Sequence, residues 1–271
     1  MHASVLFTAV AVVCVAFVSA ADTKTVDSAI PRKYDMSKHP IWSRWQAIKA
    51  AERANTSLPT PPIRSNLKKP LYDDHVYGAD VSDLTSSSAF SCMIAANLTF
   101  AIVRCWRSLG NPDPNCPVTI NSAWQGGLAH VDAYMFPCVP CGDPAGQMQQ
   151  TVQFLQSNDL SYGMIWLDIE RYAWSSDESA NQEFFESMLK QGLAMGQSIG
   201  IYTSLDSWTT IMGDSYSGGS DQPLWYAHYD GVPDFSDFEP YGGWNVPSIK
   251  QFSDQGAKCG ASYDINWYPP S

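Results

Sequence analysis

Short apolar runs alternate with amphipathic stretches along the chain from residue 76 onward. The runs are rich in aliphatic, aromatic and β-branched residues, which favour buried strands, whereas apolar positions spaced by three or four residues favour helices. This pattern predicts strands at 76–81, 100–105, 130–136, 162–170, 199–203, 224–229, 248–252 and 263–266, and helices at 119–128, 146–157 and 179–196.

The alternation of strands and helices predicts a parallel α/β architecture. About eight strands fit a closed barrel, although a complete (β/α)₈ barrel usually needs ~250 residues. The segment 229–249 is rich in Gly, Pro, Asp and aromatic residues and lacks a helical period. We therefore predict an α/β fold, a TIM-like β/α barrel with trimmed late helices. The alternative is an open doubly wound sheet, but no G-x-G-x-x-G turn follows a predicted strand.

The first 75 residues do not follow this pattern. Residues 1–20 are apolar and end in small residues, which is typical of a secretory signal peptide cleaved near Ala20; an uncleaved signal anchor is the alternative. Residues 21–75 form a basic, Pro-rich N-terminal extension with a predicted helix at 41–54. This helix could bind a membrane surface, but we favour docking on the chain's own acidic domain, or a role as a pro-segment. The barrel accounts for residues 76–271.

The distribution of charge along the chain narrows the classes of function that the protein can have. Residues 21–70 hold ten Lys or Arg and four Asp or Glu, whereas residues 71–271 hold six and 23. The acidic body is a poor nucleic-acid binder, because phosphate contacts need basic groups. It would also be repelled by anionic polymers at neutral pH, and less so in acid, where carboxylates are protonated. No later apolar run is long enough to span a membrane, so we expect a secreted protein (extracellular, lysosomal or gut lumen) without a stable membrane anchor.

Cysteine usage agrees with secretion. An even number of cysteines in a secreted chain favours disulfides, and six cysteines allow fifteen pairings. Cys138 and Cys141 have the spacing of a redox motif, but a structural bridge is the favoured interpretation. No Cys/His spacing indicates zinc, so neither a metal nor another cofactor is expected. Asn55 and Asn97 each begin a glycosylation sequon. The cysteines after the signal peptide are Cys92, Cys105, Cys116, Cys138, Cys141 and Cys259.

Acidic residues lie at the ends of several predicted strands. Residues i and i+2 of a strand share a face, so Asp168 and Glu170 should point together with Cα atoms ~6.6 Å apart. Asp80 ends the first strand and Asp264 lies in the last, and these strands are neighbours in a closed barrel. Close carboxylates raise one another's pKa, and such a pair suits glycosidic-bond cleavage at the rim of a barrel. Taken singly, each acid could instead be a solvated strand end, a helix cap or a turn residue.

Aromatic residues on the later strands are candidates for sugar binding, because flat sugar faces stack on aromatic rings. The candidates are Tyr134, Tyr202, Trp225 and Tyr226. Most of the 10 Trp and 13 Tyr should lie in the core instead.

The segments YGADVS, FAIVR, WLDIE, GIYTS, LWYAHYD, KQF and the final YDIN follow one another in this order. Together they resemble glycoside hydrolase family 25, from about residue 76 to the end of the chain. The resemblance implies a trimmed β/α barrel and a lysozyme that cleaves the β-1,4 bond between N-acetylmuramic acid and N-acetylglucosamine in peptidoglycan. It implies that Glu170 is the general acid, with Asp168 beside it and with Asp80 and Asp264 lining the groove. The third strand reads DAYMF where the family commonly ends in a Tyr-Tyr-His-Phe type of sequence, so only Tyr134 and Phe136 match there.

The sequence leaves alternatives open for the cleavage mechanism and for the function. Retaining, inverting and acetamido-assisted cleavage are all compatible with the acids. A family 18 chitinase would need acids at positions 163 and 166, where this chain has Gly163 and Trp166. A catalytically silent carbohydrate-binding protein on the same scaffold is the second alternative. We expect a monomer whose partner is the bacterial cell-wall glycan.

Overall fold

The structure is a computed structural model that describes residues 33–56 and 76–270. The predicted signal peptide and the Pro-rich part of the extension lie outside the described residues. The helices are α1 (Pro40–Ala54), α2 (Ser87–Ala95), α3 (Cys116–Gly126), α4 (Pro144–Ser157), α5 (Glu178–Ala194) and α6 (Leu205–Met212), with short 3-10 helices at Met36–Lys38 and Val139–Cys141. The strands are β1 (Val76–Val81), β2 (Leu98–Arg107), β3 (Asn111–Pro112), β4 (His130–Met135), β5 (Ile165–Asp168), β6 (Ile199–Thr203), β7 (Leu224–Ala227), β8 (Ile249–Gly256) and β9 (Tyr263–Tyr268).

The sheet closes on itself. Its strand order is β1-β9-β8-β7-β6-β5-β4-β2-β3, and β1 also pairs with β2. The two-residue β3 is an antiparallel addition to β2, so the barrel itself has eight strands. The strands from β1 to β8 pair in parallel around the barrel, whereas β9 runs antiparallel to both β8 and β1. The predicted β/α barrel is confirmed, and the open doubly wound sheet is excluded.

The order of the helices confirms the prediction that the late helices of the barrel are trimmed. In the part of the chain that the structure describes, no helix lies between β7 and β8 or between β8 and β9. Two earlier helices, α2 and α6, were not predicted. Helix α2 begins in a Ser-rich stretch with low helix propensity, and its start depends on a cap in which Ser86 Oγ accepts a hydrogen bond from the Ala89 amide at 3.2 Å.

Two buried layers follow from strand alternation. Inward-facing side chains such as Ile102, Trp166 and Ile249 fill the barrel interior. Outward-facing neighbours such as Leu167 and Ile201 pack beneath the helices. The period of two therefore sets which residues of each strand can reach the interior.

Three disulfides join the six described cysteines, and they resolve the pairing that the sequence left open. Cys92–Cys259 links residues that are 167 apart, and Cys105–Cys116 closes the loop before α3. Cys138–Cys141 joins the two cysteines that have the spacing of a redox motif. The first of these ties α2 to the turn before β9. A cross-link over so long a loop restricts the unfolded chain strongly.

The described part of the extension docks under the barrel. Ile41 of α1 is fully buried in the same cluster as Phe100 and Tyr268. His39 contacts His130, at the start of β4, with ring centroids 5.0 Å apart. Helix α1 therefore lies at the end where the parallel strands begin, which we call the floor. This placement agrees with the favoured interpretation, in which the helix docks on the chain's own domain. The domain boundary at residue 76 stays a prediction. Among the described residues, no helix is both long and apolar enough to cross a membrane.

Candidate active site

A cavity of about 240 Å³ opens at the end of the barrel opposite the floor. We call it the cup. All four predicted acids line it, and so do three of the four predicted aromatic residues. Its lining residues are Asp80, Ser82, Arg104, Tyr134, Phe136, Asp168, Glu170, Tyr202, Trp225, Tyr229, Gln251 and Asp264.

Asp168 and Glu170 leave strand β5 toward the cup, while Ile169 between them is fully buried on the outer side. The predicted alternation is therefore present. Burial raises the pKa of Asp168 well above its usual range, and the charges of Glu170 and Asp80 raise it further. Burial also raises the pKa of Glu170, together with the charge of Asp264. The two carboxyl groups cannot both ionise readily, so the pair tends to keep a proton.

Asp80 and Asp264 face each other across the β1–β9 pairing. The sequence predicted this closeness from barrel closure, and the structure adds a reason. Because β9 runs antiparallel to β1, Asp264 lies near the first residue of its strand and still reaches the end of the barrel where β1 finishes. Burial, and then the charge of Asp264, raise the pKa of Asp80 to about 7. Burial and Asp254 raise the pKa of Asp264.

Gln251 of β8 connects these acids to two tyrosines. Its Nε2 donates to Asp80 Oδ2 at 2.9 Å and to Asp264 Oδ2 at 3.1 Å. Its Oε1 accepts from the hydroxyls of Tyr202 at 2.6 Å and Tyr229 at 2.7 Å. The amide therefore uses its whole hydrogen-bonding capacity inside the site, and it fixes two walls of the cup relative to each other.

Arg104 of β2 is the one cation among the residues that line the cup. Its Nε donates to Asp113 Oδ2 at 2.8 Å, and its Nη2 donates to the Ser82 carbonyl at 2.8 Å. Asp113 is almost fully buried in the loop that the Cys105–Cys116 disulfide closes. The guanidinium is thus held in one orientation, and its charge opposes the rise in the pKa of Asp168.

The aromatic candidates divide between the two faces of the sheet. Tyr134, Tyr202 and Trp225 line the cup, with the Trp225 ring centroid 4.5 Å from that of Tyr202 and 6.4 Å from that of Tyr134. Tyr226 does not line it. Neighbouring residues of a strand point to opposite faces, so Tyr226 lies outside the barrel, where its hydroxyl donates to Asp237 Oδ2 at 3.0 Å. Its predicted place in the cup is therefore wrong, whereas its contact with sugar stays a prediction.

Comparison with known proteins identifies the family. The profile of a family described as Lysozyme-like protein 1 matches residues 72–252. The protein named probable GH family 25 lysozyme 2 of Dictyostelium discoideum is 47% identical over 194 residues, covering 72% of this chain and 91% of its own. This chain belongs to glycoside hydrolase family 25.

Two further comparisons agree. Lysozyme-like protein 5 of Caenorhabditis elegans is 37% identical to this family 25 chain over 195 residues, covering 71% of this chain and 91% of its own. The solved structure of a family GH25 lysozyme from Aspergillus fumigatus superposes with a TM-score of 0.60 at 20% identity, over 72% of this chain and 93% of that one. At that identity the superposition shows the fold alone, which is the barrel described above.

A second polar cluster lies on the outer side of β7 in this family 25 protein. His228, Asp230 and Asp237 each offer an atom within 4.8 Å of the others, a spacing that could hold a metal ion. However, the buried Lys250 Nζ already lies 2.8 Å from Asp230 and 2.7 Å from Asp237. An ammonium group there neutralises the carboxylates, so this donor set fits a structural ion-pair cluster better than a cation site.

Sequence reasoning missed Arg104, Tyr229, Gln251 and Asn266 as members or supports of the site. The signal was partly present, because Arg104 follows Phe100 and Ile102 at intervals of two on an inward face. Gln251 and Asn266 likewise lie within the family segments KQF and YDIN. Their roles depend on contacts between distant strands, and those contacts could not be assigned from strand patterns.

Proposed function

We propose that this protein is a secreted muramidase that hydrolyses the β-1,4 bond between N-acetylmuramic acid and N-acetylglucosamine in bacterial peptidoglycan. The observation that carries the proposal is the cup, in which Asp80, Asp168, Glu170 and Asp264 converge on a chain that belongs to a lysozyme family. A carbohydrate-binding protein would have no use for carboxyl groups whose pKa values are raised by burial and by one another.

Glu170 has the properties of the general acid. It is partly exposed at the mouth of the cup, so it can reach the glycosidic oxygen of a long polymer. Its raised pKa keeps it protonated at a pH where an ordinary carboxyl group is ionised. Protonation of the leaving oxygen by such a group lowers the barrier to bond cleavage.

Asp168 lies deeper in the cup than Glu170, and it acts on the sugar ring instead of on the leaving oxygen. Among the described residues, its buried Oδ1 has no hydrogen-bond partner, so it is an acceptor that no protein group occupies. When ionised, Asp168 stabilises positive charge at the anomeric carbon or accepts a hydrogen bond from the acetamido group of the sugar. Arg104 favours this ionised form. Glycoside cleavage requires Glu170 to hold the proton while Asp168 is ionised. Burial opposes the ionised form of Asp168, and the charge of Arg104 offsets part of that effect.

The aromatic walls and the remaining acids hold the glycan. Tyr134 and Trp225 present ring surface to the sugar, and Tyr229 is half exposed at the rim. Asp80 and Asp264 accept hydrogen bonds from sugar hydroxyls. The −17 net charge that the sequence gives residues 71–271 repels anionic wall polymers at neutral pH, so we expect the highest activity in acid.

End-group analysis on purified peptidoglycan tests the proposal. The mature protein should release fragments whose new reducing ends are N-acetylmuramic acid, whereas cleavage of the other glycosidic bond would expose N-acetylglucosamine. Glu170→Gln should lower the rate by about a thousandfold, since general acid catalysis contributes 10²–10⁴-fold. Glu183→Gln, on the exposed face of α5, is the matched control. Wall binding without turnover anywhere from about pH 3 to 8, a window that spans ordinary and raised carboxyl pKa values, would favour the silent binding protein instead.

The remaining expectations belong to this proposal. Secretion follows from the apolar, small-residue-terminated segment 1–20. Glycosylation at Asn55 or Asn97 is compatible with the exposure of both side chains. The protein acts as a monomer on the wall glycan without a membrane anchor. Size-exclusion chromatography and mass spectrometry of the secreted protein test these points.

A further inference from the structure

The floor of the barrel is built from a segment outside the region that the family profile matches. That match begins at residue 72, whereas the docked segment is 33–54. Both Ile41 and His39 have 0% exposure. Ile41 belongs to the apolar cluster that fills the barrel interior, so the segment completes a core and does not merely cover a surface.

His39 makes two hydrogen bonds that fix its ring. Its Nδ1 accepts from the Trp42 amide at 3.2 Å and caps α1, which leaves the proton on Nε2. Nε2 lies 2.8 Å from Asp132 Oδ1, in the interior of the barrel. The approach is tight, because a Cβ on Gly163 would lie 2.5 Å from the His39 ring. Glycine at position 163 therefore makes room for the histidine.

Asp132 connects His39 to β5, the strand that carries Asp168. Its Oδ1 also accepts from the Met164 amide at 2.9 Å, and its Oδ2 accepts from Trp166 Nε1 at 2.9 Å. Trp166 lies two residues before Asp168 on the same inward face of β5. The indole of Trp166 is thus held by the carboxylate that His39 binds.

The contacts continue from Trp166 to the cup. Its ring packs edge-on against Trp225, with centroids 5.7 Å apart. Trp225 Nε1 donates to Asn266 Oδ1 at 2.8 Å, and Asn266 Nδ2 donates to Asp80 Oδ2 at 2.7 Å. An unbroken series of contacts therefore joins His39 on the floor to Asp80 in the cup, and Trp166 in that series lies on the strand that carries Asp168.

We propose that residues 33–54 are an integral part of the catalytic barrel and that His39 is a positioning residue, which orients Trp166 through Asp132. The segment is then not a pro-segment whose removal activates the protein. The activity half of this inference rests on the proposed function, whereas the retention of the segment can be measured without any turnover.

Cleavage of the Pro-rich part of the extension, between residue 54 and the barrel, tests whether the docked segment is retained. A site-specific protease sequence replaces residues 62–68 in the full mature chain, and the cleaved protein is passed over a size-exclusion column. We expect the N-terminal piece to co-elute with the barrel and the wall-digestion rate to change less than twofold. Release of the piece would overturn the proposal, whether the activity is kept, raised or lost. If the uncleaved parent shows no turnover, the proposed function fails and release alone overturns this inference.

Two substitutions separate positioning from simple anchoring. His39→Gln places an amide donor near the position of Nε2, so it keeps the bond to Asp132 but loses the cap. His39→Asn keeps an acceptor for the Trp42 amide but is too short for Asp132. We expect His39→Gln to retain kcat within about threefold, and His39→Asn to lower kcat about tenfold or more with little change in KM, because small displacements of catalytic groups are costly.

Lys38→Gln, at an exposed neighbour of His39, is the matched control. The folded fraction of each variant is measured by urea unfolding under the assay conditions. Equal losses of kcat in His39→Gln and His39→Asn would overturn the positioning role. So would losses that only follow the folded fraction.

Discussion

Asp80→Asn should make the protein more stable at pH 8 while it weakens the active site. Asp80 is 9% exposed and lies beside Asp264, and its pKa is about 7 in the folded protein against 3.8 ordinarily. An unfolded chain releases this proton near pH 4, whereas the folded chain holds it until about pH 7. The folded state is therefore penalised as pH rises through this window, and asparagine removes the penalty.

The size of the effect follows from the shift. A difference of about three pKa units corresponds to ~4 kcal/mol, since each unit is worth 1.36 kcal/mol. Asparagine also brings a pH-independent cost of about 1 kcal/mol, because its amide leaves one buried donor unpaired. The free energy of unfolding of Asp80→Asn should thus exceed that of the parent by about 3 kcal/mol at pH 8 and be slightly lower than it at pH 4.

Urea unfolding of the parent and the variant at both pH values gives the decisive quantity, which is the change in their difference between pH 4 and pH 8. This double difference cancels the pH-independent cost. Asp221→Asn, whose side chain is 89% exposed, should show a double difference near zero. A double difference near zero for Asp80→Asn as well, or a variant that is less stable than the parent at pH 8, would refute the reasoning.

Three other changes test the neighbours of the acids. Gln251→Leu removes both amide donors to Asp80 and Asp264 and should lower kcat, measured by reducing-end release, by about a hundredfold. An unchanged kcat would show that Gln251 does not position the acids. Arg104→Gln should shift the acidic limb of the rate profile upward by about one pH unit, because Asp168 loses a stabilising charge, whereas Arg107→Gln, outside the cup, should not shift it. Burial and the adjacent His39 lower the pKa of His130 to about 3. Below pH ~6.5 the unfolded chain therefore binds a proton at His130, whereas the folded chain leaves this imidazole neutral. His130→Asn should flatten the loss of stability between about pH 6 and 4 in urea unfolding, and a slope equal to that of the parent would contradict this account.

Local periodicity was enough to predict most of the barrel, and it located the acids correctly. Strands at 76–81 and 199–203 have their predicted bounds, and the absence of a helical period in 229–249 does mark the trimmed half. Local pattern could not assign the face of β7, because both Trp225 and Tyr226 are aromatic and either could point inward. The choice depends on register with β6 and β8, which is a long-range property.

The contacts that hold the acids in place could not be predicted from the sequence, for a different reason. Asp264 was expected beside Asp80, but only the structure shows that β9 reverses direction to put it there. His39 lies in a basic, Pro-rich extension whose composition predicts a linker or a surface helix. Nothing in that composition indicates that one histidine enters a barrel interior and meets Asp132, which lies 93 residues away in the chain.

The two ends of the barrel depend on each other through the apolar layer between them. Trp166 and Trp225 fill the interior beneath the cup, and they exclude water from one side of Asp80 and Asp168. The same desolvation that raises the pKa values of these acids opposes folding when they ionise. A barrel open at the bottom would admit water to this layer and relax the shifts. Closure by Ile41 and His39 therefore does more than add buried area, because it preserves the low dielectric that raises the pKa values of Asp80 and Asp168.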